Sequence, residues 1–282
     1  LTVSVSGTAT IGAHDLTLTN TDAGTSTVTG ALTVVAGPSV SLVTPSSLGQ
    51  SALSKTVTLT GTGFQSGLTV SFSNAGVTGT VASLTSTSVT LTVSVSSTAT
   101  PGAVDIHLTN PDAGTSTAAL SVTAAPIGSG FAPSTLGQGA TSTTVVVTGT
   151  GFQAGVSAAV SVAGVTISAA TFVSATRVDL TVSVAAGAAL GTRNITFTNP
   201  DGGTSTSTNA ITVGAAPSMT SLSQTTLGQG ATAEPITISG TGFQSGATVT
   251  VSGTGVTVSS ATVNSATSIS IDRKSTRLNS SH

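Results

Sequence analysis

Leu91-Thr92-Val93-Ser94-Val95-Ser96 alternates an apolar with a hydroxyl side chain at every step. Successive side chains of an extended chain point to opposite faces, so this segment has one aliphatic face and one wet face, the pattern of a half-buried strand. Val57 and Leu59, set among Thr56, Thr58 and Thr60, repeat it. Further strands are predicted at Val40 to Val43, Leu68 to Phe72, Gly79 to Ser83, Val104 to Thr109 and Thr115 to Val122. No segment carries a sustained 3.6-residue apolar period, so the reading is all-β with about seven short strands in one unit of chain.

The segment is one copy of several. Residues 1–27 align without gaps on 91–117 with 21 identities. Ser-Leu-Gly-Gln at Ser47 to Gln50 returns as Thr-Leu-Gly-Gln at Thr135 and Thr226, spacings of 88 and 91. Gly-Thr-Gly-Phe-Gln begins at Gly61, Gly149 and Gly240, with the same two spacings. Asn-x-Asp-x-Gly-Thr-Ser-Thr begins at Asn20, Asn110 and Asn199, spacings of 90 and 89. Three independent markers with one period define a tandem repeat. The expected division is 1–37 as the C-terminal part of one repeat, 38–126 and 127–217 as complete repeats, and 218–271 as the N-terminal part of a fourth. Junctions fall at Pro38, Pro126 and Pro217, and short Pro-containing linkers favour a stiff, extended string.

Residues 272–282, Asp-Arg-Lys-Ser-Thr-Arg-Leu-Asn-Ser-Ser-His, break the pattern. Residues 265–271 match 174–180, yet the residues after Ile271 do not resemble Thr181 to Val184, and four of the chain's 14 charges sit there. We read this tail as non-native, a translated sequencing adapter. Resequencing the source locus tests that reading, which fails if the tail is encoded in genomic DNA.

Composition excludes several function classes. Thr (58) and Ser (44) exceed a third of the 282 residues, charged residues are 5%, and the net charge is −2. Thr and Val are β-branched and suit a pleated surface. Before the tail the only fixed cations are Lys55, Arg177 and Arg193, too few to neutralise a run of phosphates, so nucleic acid is not expected as a partner. Cysteine is absent, which removes disulfides, thiol catalysis and Cys-based zinc sites. No apolar run approaches the ~18 residues of a membrane span. Trp and Tyr are absent too, which weighs against sugar stacking and against the usual anchors of protein interfaces.

The markers have mechanical readings. In Asn110-Pro111-Asp112-Ala113-Gly114, Pro pre-sets a turn, Asp caps it and Gly tolerates positive φ, so a tight connection between the last two strands is expected. In Gly61-Thr62-Gly63-Phe64 the glycines let the strand bend or bulge while Phe64 fills the core. Gly149, Gly151 and Phe152, then Gly240, Gly242 and Phe243, hold the same places. This order of motifs, G-x-G-F, a strand, L-x-V-x-V, a small-residue turn, and a strand closed by N-P-D-G, resembles the IPT/TIG domain, the Ig-like fold of plexins, some transcription factors and many bacterial surface proteins. The resemblance covers residues 1–271. It implies tandem Ig-like β-sandwiches, two complete and two truncated, acting as spacers or interaction modules at a bacterial cell surface or outside the cell. The DNA-binding members of that family rely on basic loops this chain lacks.

Candidate sites are few. His14 aligns with Val104 and Arg193, and His107 with Thr17 and Thr196, so neither marks a recurring site. Asp15 and Asp105 lie seven residues before Asp22 and Asp112, and Asp201 occupies the same turn in the next repeat. These five are weak calcium candidates, since one carboxylate at each of two positions makes a poor cage, and capping of turns is the stronger reading. No nucleophile elbow, paired acid and base, or phosphate-binding loop is present. Asn194-Ile195-Thr196 is a formal glycosylation sequon inside an expected strand. No catalytic residue, cofactor or firm metal site is therefore expected, and the partners expected are neighbouring repeats and an unknown protein or glycan. The leading expectation is a non-enzymatic stalk, with accessory modules of a secreted enzyme as the alternative.

Overall fold

The computed structural model describes residues 2–232 and 234–271. The tail at 272–282 lies outside the described residues. Every element among the described residues is a strand. The first repeat contributes β1 (Gly12–Thr19) and β2 (Thr25–Val34). The second contributes β3 (Ser39–Thr44), β4 (Ser47–Gly49), β5 (Lys55–Thr62), β6 (Thr69–Phe72), β7 (Val77–Leu84), β8 (Ser88–Val95), β9 (Gly102–Thr109) and β10 (Thr115–Thr123). The third contributes β11 (Ile127–Ala132), β12 (Thr135–Gly137), β13 (Thr143–Thr150), β14 (Ser157–Val160), β15 (Val165–Ser174), β16 (Arg177–Val184), β17 (Gly191–Thr198) and β18 (Thr204–Gly214). The last four are β19 (Ser218–Leu222), β20 (Ile236–Thr241), β21 (Ala261–Ser265) and β22 (Ser268–Ile271).

Residues 39–123 form two four-stranded sheets, β3-β5-β8-β7 and β4-β10-β9-β6. Residues 127–214 reproduce them strand for strand as β11-β13-β16-β15 and β12-β18-β17-β14. The alternation that defined the strands also decides what they bury: Leu91, Val93 and Val95 of β8 are all below 1% exposed while Thr92 is on the surface. Val57 and Leu59 of β5 meet Ile106 and Leu108 of β9 in one core. In the third repeat's core Phe152 stands edge-on to Phe197 at 5.4 Å and Phe131 is stacked on Phe197 at 6.4 Å. Burial of each such side chain is worth ~1.5–3 kcal/mol. Each sandwich has eight strands, one more than the seven expected. The extra one, β4 or β12, is formed by the first three residues of the Ser/Thr-Leu-Gly-Gln marker, pairing in parallel with the last strand through Leu48↔Val122 and Leu136↔Val213.

The outer pieces are single layers. The β1–β2 hairpin exposes Leu16, Leu18, Val28 and Leu32, whose counterparts Ile106, Leu108, Ala118 and Leu120 lie in the core of the second repeat. Against the final sheet, β19-β20-β22-β21, the buried hydrophobic residues are Ile238, Phe243 and Ile269 alone among the described residues.

Candidate functional site at the junction of two repeats

The recurring motifs gather at the two ends of the sandwich. At the entry end, Gly61 lies where a Cβ would stand 1.8 Å from the Ser39 carbonyl oxygen, so β5 can pair with β3 there only without a side chain. Gly63 comes next at φ 73°, a left-handed conformation that suits glycine, and Phe64 turns inward to 4% exposure. Phe152 and Phe243 are buried in the same way.

The turn after β9 clasps this corner. Asn110 donates from Nδ2 to the Gly63 carbonyl at 2.8 Å and accepts at Oδ1 from the Gln65 amide at 3.3 Å. Gln65 Nε2 donates to Asp112 Oδ2 at 2.5 Å, and Gly114 N–H donates to Asp112 Oδ1 at 2.9 Å. These two donors, Gly114 first, hold the Asp112 carboxyl below the ordinary Asp value. The Pro111 ring lies against Gly67. The third repeat has the same clasp: Asn199 to Gly151 at 2.7 Å, Gln153 N–H to Asn199 at 3.2 Å, Gln153 Nε2 to Asp201 at 2.5 Å and Gly203 N–H to Asp201 at 2.9 Å.

At the exit end, Gln50 ties the outgoing linker to the sandwich. Its Nε2 donates to the Ala99 carbonyl at 2.8 Å and its Oε1 accepts from the Ala125 amide at 3.1 Å. Gln138 does likewise with Ala188 at 2.7 Å and Ala216 at 3.4 Å.

The exit end of the second repeat meets the entry end of the third. Gly49 N–H donates to the Asp201 carbonyl at 3.2 Å, and Thr204 N–H donates to the Gln50 carbonyl at 3.1 Å. Thr123 Oγ1 donates to Asp201 Oδ2 at 2.5 Å. The backbones touch, since a Cβ on Gly49 would lie 2.3 Å from Gly203 Cα and 2.7 Å from Asp201 Oδ1. Lys55 covers Gly202, where a Cβ would meet Lys55 Cε at 2.3 Å. Gly49, Gly202 and Gly203 are all buried by this contact.

The acidic candidates do not converge. Asp15 accepts from the Gly30 amide at 2.8 Å and Asp22 from the Gly24 amide at 3.0 Å. Asp105 sits on β9, where its amide donates to Ser73 Oγ at 2.8 Å. Among the described residues no three His, Cys, Asp or Glu side chains come together. His14 bonds the Thr10 carbonyl at 2.8 Å and His107 lies 3.3 Å from Thr117 Oγ1. Asn194 of the sequon accepts from the Asn209 amide at 2.9 Å. Two open grooves, of about 590 Å³ beside Leu53, Asn74 and Ser94 and about 480 Å³ beside Ile127, Phe131 and Ser207, contain no ionisable side chain.

Sequence reasoning missed Arg193, which is 5% exposed and has no carboxylate partner among the described residues. Its guanidinium bonds the carbonyls of Gly191 at 3.1 Å, Thr192 at 2.9 Å and Ala189, while Nε is unpaired. The one available signal was that its aligned positions hold Val104 and His14. No helix among the described residues is long and apolar enough to cross a membrane.

Fold and junction together define a tandem array of Ig-like β-sandwiches. No family model and no curated protein matches the chain. Solved structures of tandem domains do. The I9–I11 tandem of titin is 11% identical at a TM-score of 0.29, covering 80% of this chain and 85% of that one. The Bacteroides ovatus surface protein SGBP-B, solved with a mixed-linkage heptasaccharide, is 16% identical at 0.26, covering 72% of this chain, which spans about half (52%) of that protein. The Yersinia pseudotuberculosis adhesin InvE is 15% identical at 0.26, covering 63% and 60%. At these scores the likenesses carry no argument about what this chain binds.

Proposed function

We propose that this chain is a stretch of a non-catalytic stalk, built from IPT/TIG-like repeats with boundaries at 37/38, 126/127 and 217/218, that holds a functional domain away from a bacterial surface. The observation that carries the reading is the junction between the second and third repeats, in which the turn of one repeat and the exit end of the one before it share three hydrogen bonds and a glycine-to-glycine contact. A flexible tether needs no such contact. A spacer gains reach from it, because each joint that is fixed keeps the string extended. The Thr- and Ser-covered surface, with few charges and neither Trp nor Tyr, fits a spacer better than a gripping face. Neighbouring repeats are then the principal partners, and any protein or glycan ligand belongs to another part of the molecule.

The test is to label intact cells of the source organism with an antibody raised against residues 38–217. Surface staining without lysis, together with a shorter reach of the distal domain when 38–126 is deleted, supports the stalk. Staining only after lysis, or a hydrolase whose activity on its substrate falls on the same deletion while reach is unchanged, contradicts it.

A further inference from the structure

We propose that the Leu-Gly-Gln segment of each repeat is a seat for the Asn-x-Asp-x-Gly turn of the next repeat in the chain. Leu136–Gln138 is then an open seat for the turn of a further repeat, and Asn110–Gly114 is a turn shaped for the seat of a preceding one. The inference rests on the stalk reading and adds the surfaces by which its units recognise one another.

The occupied junction shows what a seat is made of. Its floor is Gly49, its polar groups are the Gly49 amide and the Gln50 carbonyl, and Gln50 is fixed by Ala99 and Ala125. Such a surface admits a close-packed glycine turn offering one carbonyl and one amide, which Asp201 and Thr204 provide. At Leu136–Gln138 the backbone and glutamine fixtures are in place: β12 pairs with β18 as β4 does with β10, and Gln138 bonds Ala188 and Ala216. What differs is the occupant. A Cβ on Gly137 would meet nothing nearer than the Ala215 carbonyl oxygen at 3.9 Å, against 2.3 Å to the backbone at Gly49. Gly49 is buried and Gly137 half-buried. The turns show the complementary contrast: Gly202 and Gly203 are buried, whereas Ala113 is exposed and Gly114 half-buried, although Asn110 and Asp112 make the same bonds as Asn199 and Asp201.

The seats also differ in side chains: Gly214 stands at the register of Thr123, so the hydroxyl that bonds Asp201 has no counterpart at Gly137. Lys55 covers the turn at Gly202, and Thr143 stands at its register on β13, opposite Val182 as Lys55 is opposite Val93. A turn with Ala in the Gly202 place, such as Asn110–Gly114, meets no lysine at a Thr143-type seat, and at a Lys55-type seat it requires the flexible end of the lysine to swing aside.

The experiment compares Gly49→Ala with Gly137→Ala by residual dipolar couplings. Each is made in the full chain and in a chain extended after Ile271 by a second copy of residues 181–217, which supplies the fourth repeat's turn. In the full chain, Gly49→Ala is expected to split the alignment of 38–126 from that of 127–217, and Gly137→Ala to change nothing. In the extended chain, 127–217 and the completed fourth repeat share one alignment that Gly137→Ala splits. Unchanged core amide shifts at Val89 and Leu180 verify folding. Should Gly49→Ala not fold, Gly203→Ala approaches the same contact from the turn side, where its Cβ would lie 3.0 Å from Gly49 Cα. A silent Gly137→Ala in the extended chain overturns the seat. A single alignment that survives both Gly49→Ala and Gly203→Ala also overturns it while leaving the stiff stalk standing, whereas two independent alignments in the unmodified chain contradict the stalk.

Discussion

Asn110 and Gly63, 47 residues apart in sequence, are joined by a 2.8 Å hydrogen bond from the Asn amide to the glycine carbonyl. The same carboxamide receives the Gln65 N–H. One side chain thus ties two of the recurring motifs into a single structure, and Asn199 does so again with Gly151 and Gln153.

Replacing Asn110 by Ala leaves the half-buried Gly63 carbonyl and Gln65 amide without this partner. A loss of about 1–3 kcal/mol from the second repeat is expected, read as a lower urea midpoint for core amides such as Leu91 with those of Leu180 unmoved. Asn199→Ala moves Leu180 instead. Equal shifts in both repeats would show that the bond is not local.

Arg193 is a buried cation held by carbonyls alone, and its aligned residue Val104 is fully buried in the second repeat. Desolvating a charge without a counter-ion is costly, so Arg193→Val is expected to leave the third repeat as stable or to stabilise it by roughly 1 kcal/mol. Calorimetry checks this, and a loss of stability would assign the guanidinium a positive role in ordering residues 189–192.

Asp112 has its folded pKa lowered because the Gly114 amide and the Gln65 carboxamide bond its ionised form. The unfolded state therefore takes up its proton at a higher pH than the folded state does. The stabilisation is full above the unfolded value and is lost as pH falls through the folded one. Carboxyl carbon titration of Asp112 should give a value below that of a model Asp, and Gln65→Ala should move it upward.

Arg177 and Asp179 form an ion pair at the start of β16, at 2.8 Å, with side chains 46% and 26% exposed. Solvent screening makes such pairs worth little. Arg177→Ala should change stability by less than about 0.5 kcal/mol, and a larger loss in thermal unfolding would mean that the arginine stem packs.

Much of this architecture could be read from alternation and periodicity. Leu91, Val93 and Val95 announced their buried face because strand period and burial coincide. Ser47, Leu48 and Gly49 did not announce a strand, since three residues carry too little pattern and their pairing with β10 is set by a chain segment more than 70 residues away. The Asn-x-Asp-x-Gly turn was legible as a turn, but its contact with Gly49 was not, because the fit depends on backbone surfaces from two repeats and glycine presents no side chain to read. Arg193 was equally opaque: its partners are carbonyls, which every sequence has.

The central claim, that consecutive repeats form one stiff unit, is tested most directly by the distance between spin labels on adjacent repeats. The chain has no native cysteine, so exposed Thr92→Cys and Thr171→Cys label the second and third repeats alone. A single narrow distance distribution is predicted. A broad distribution, as from two beads on a free linker, would contradict the account.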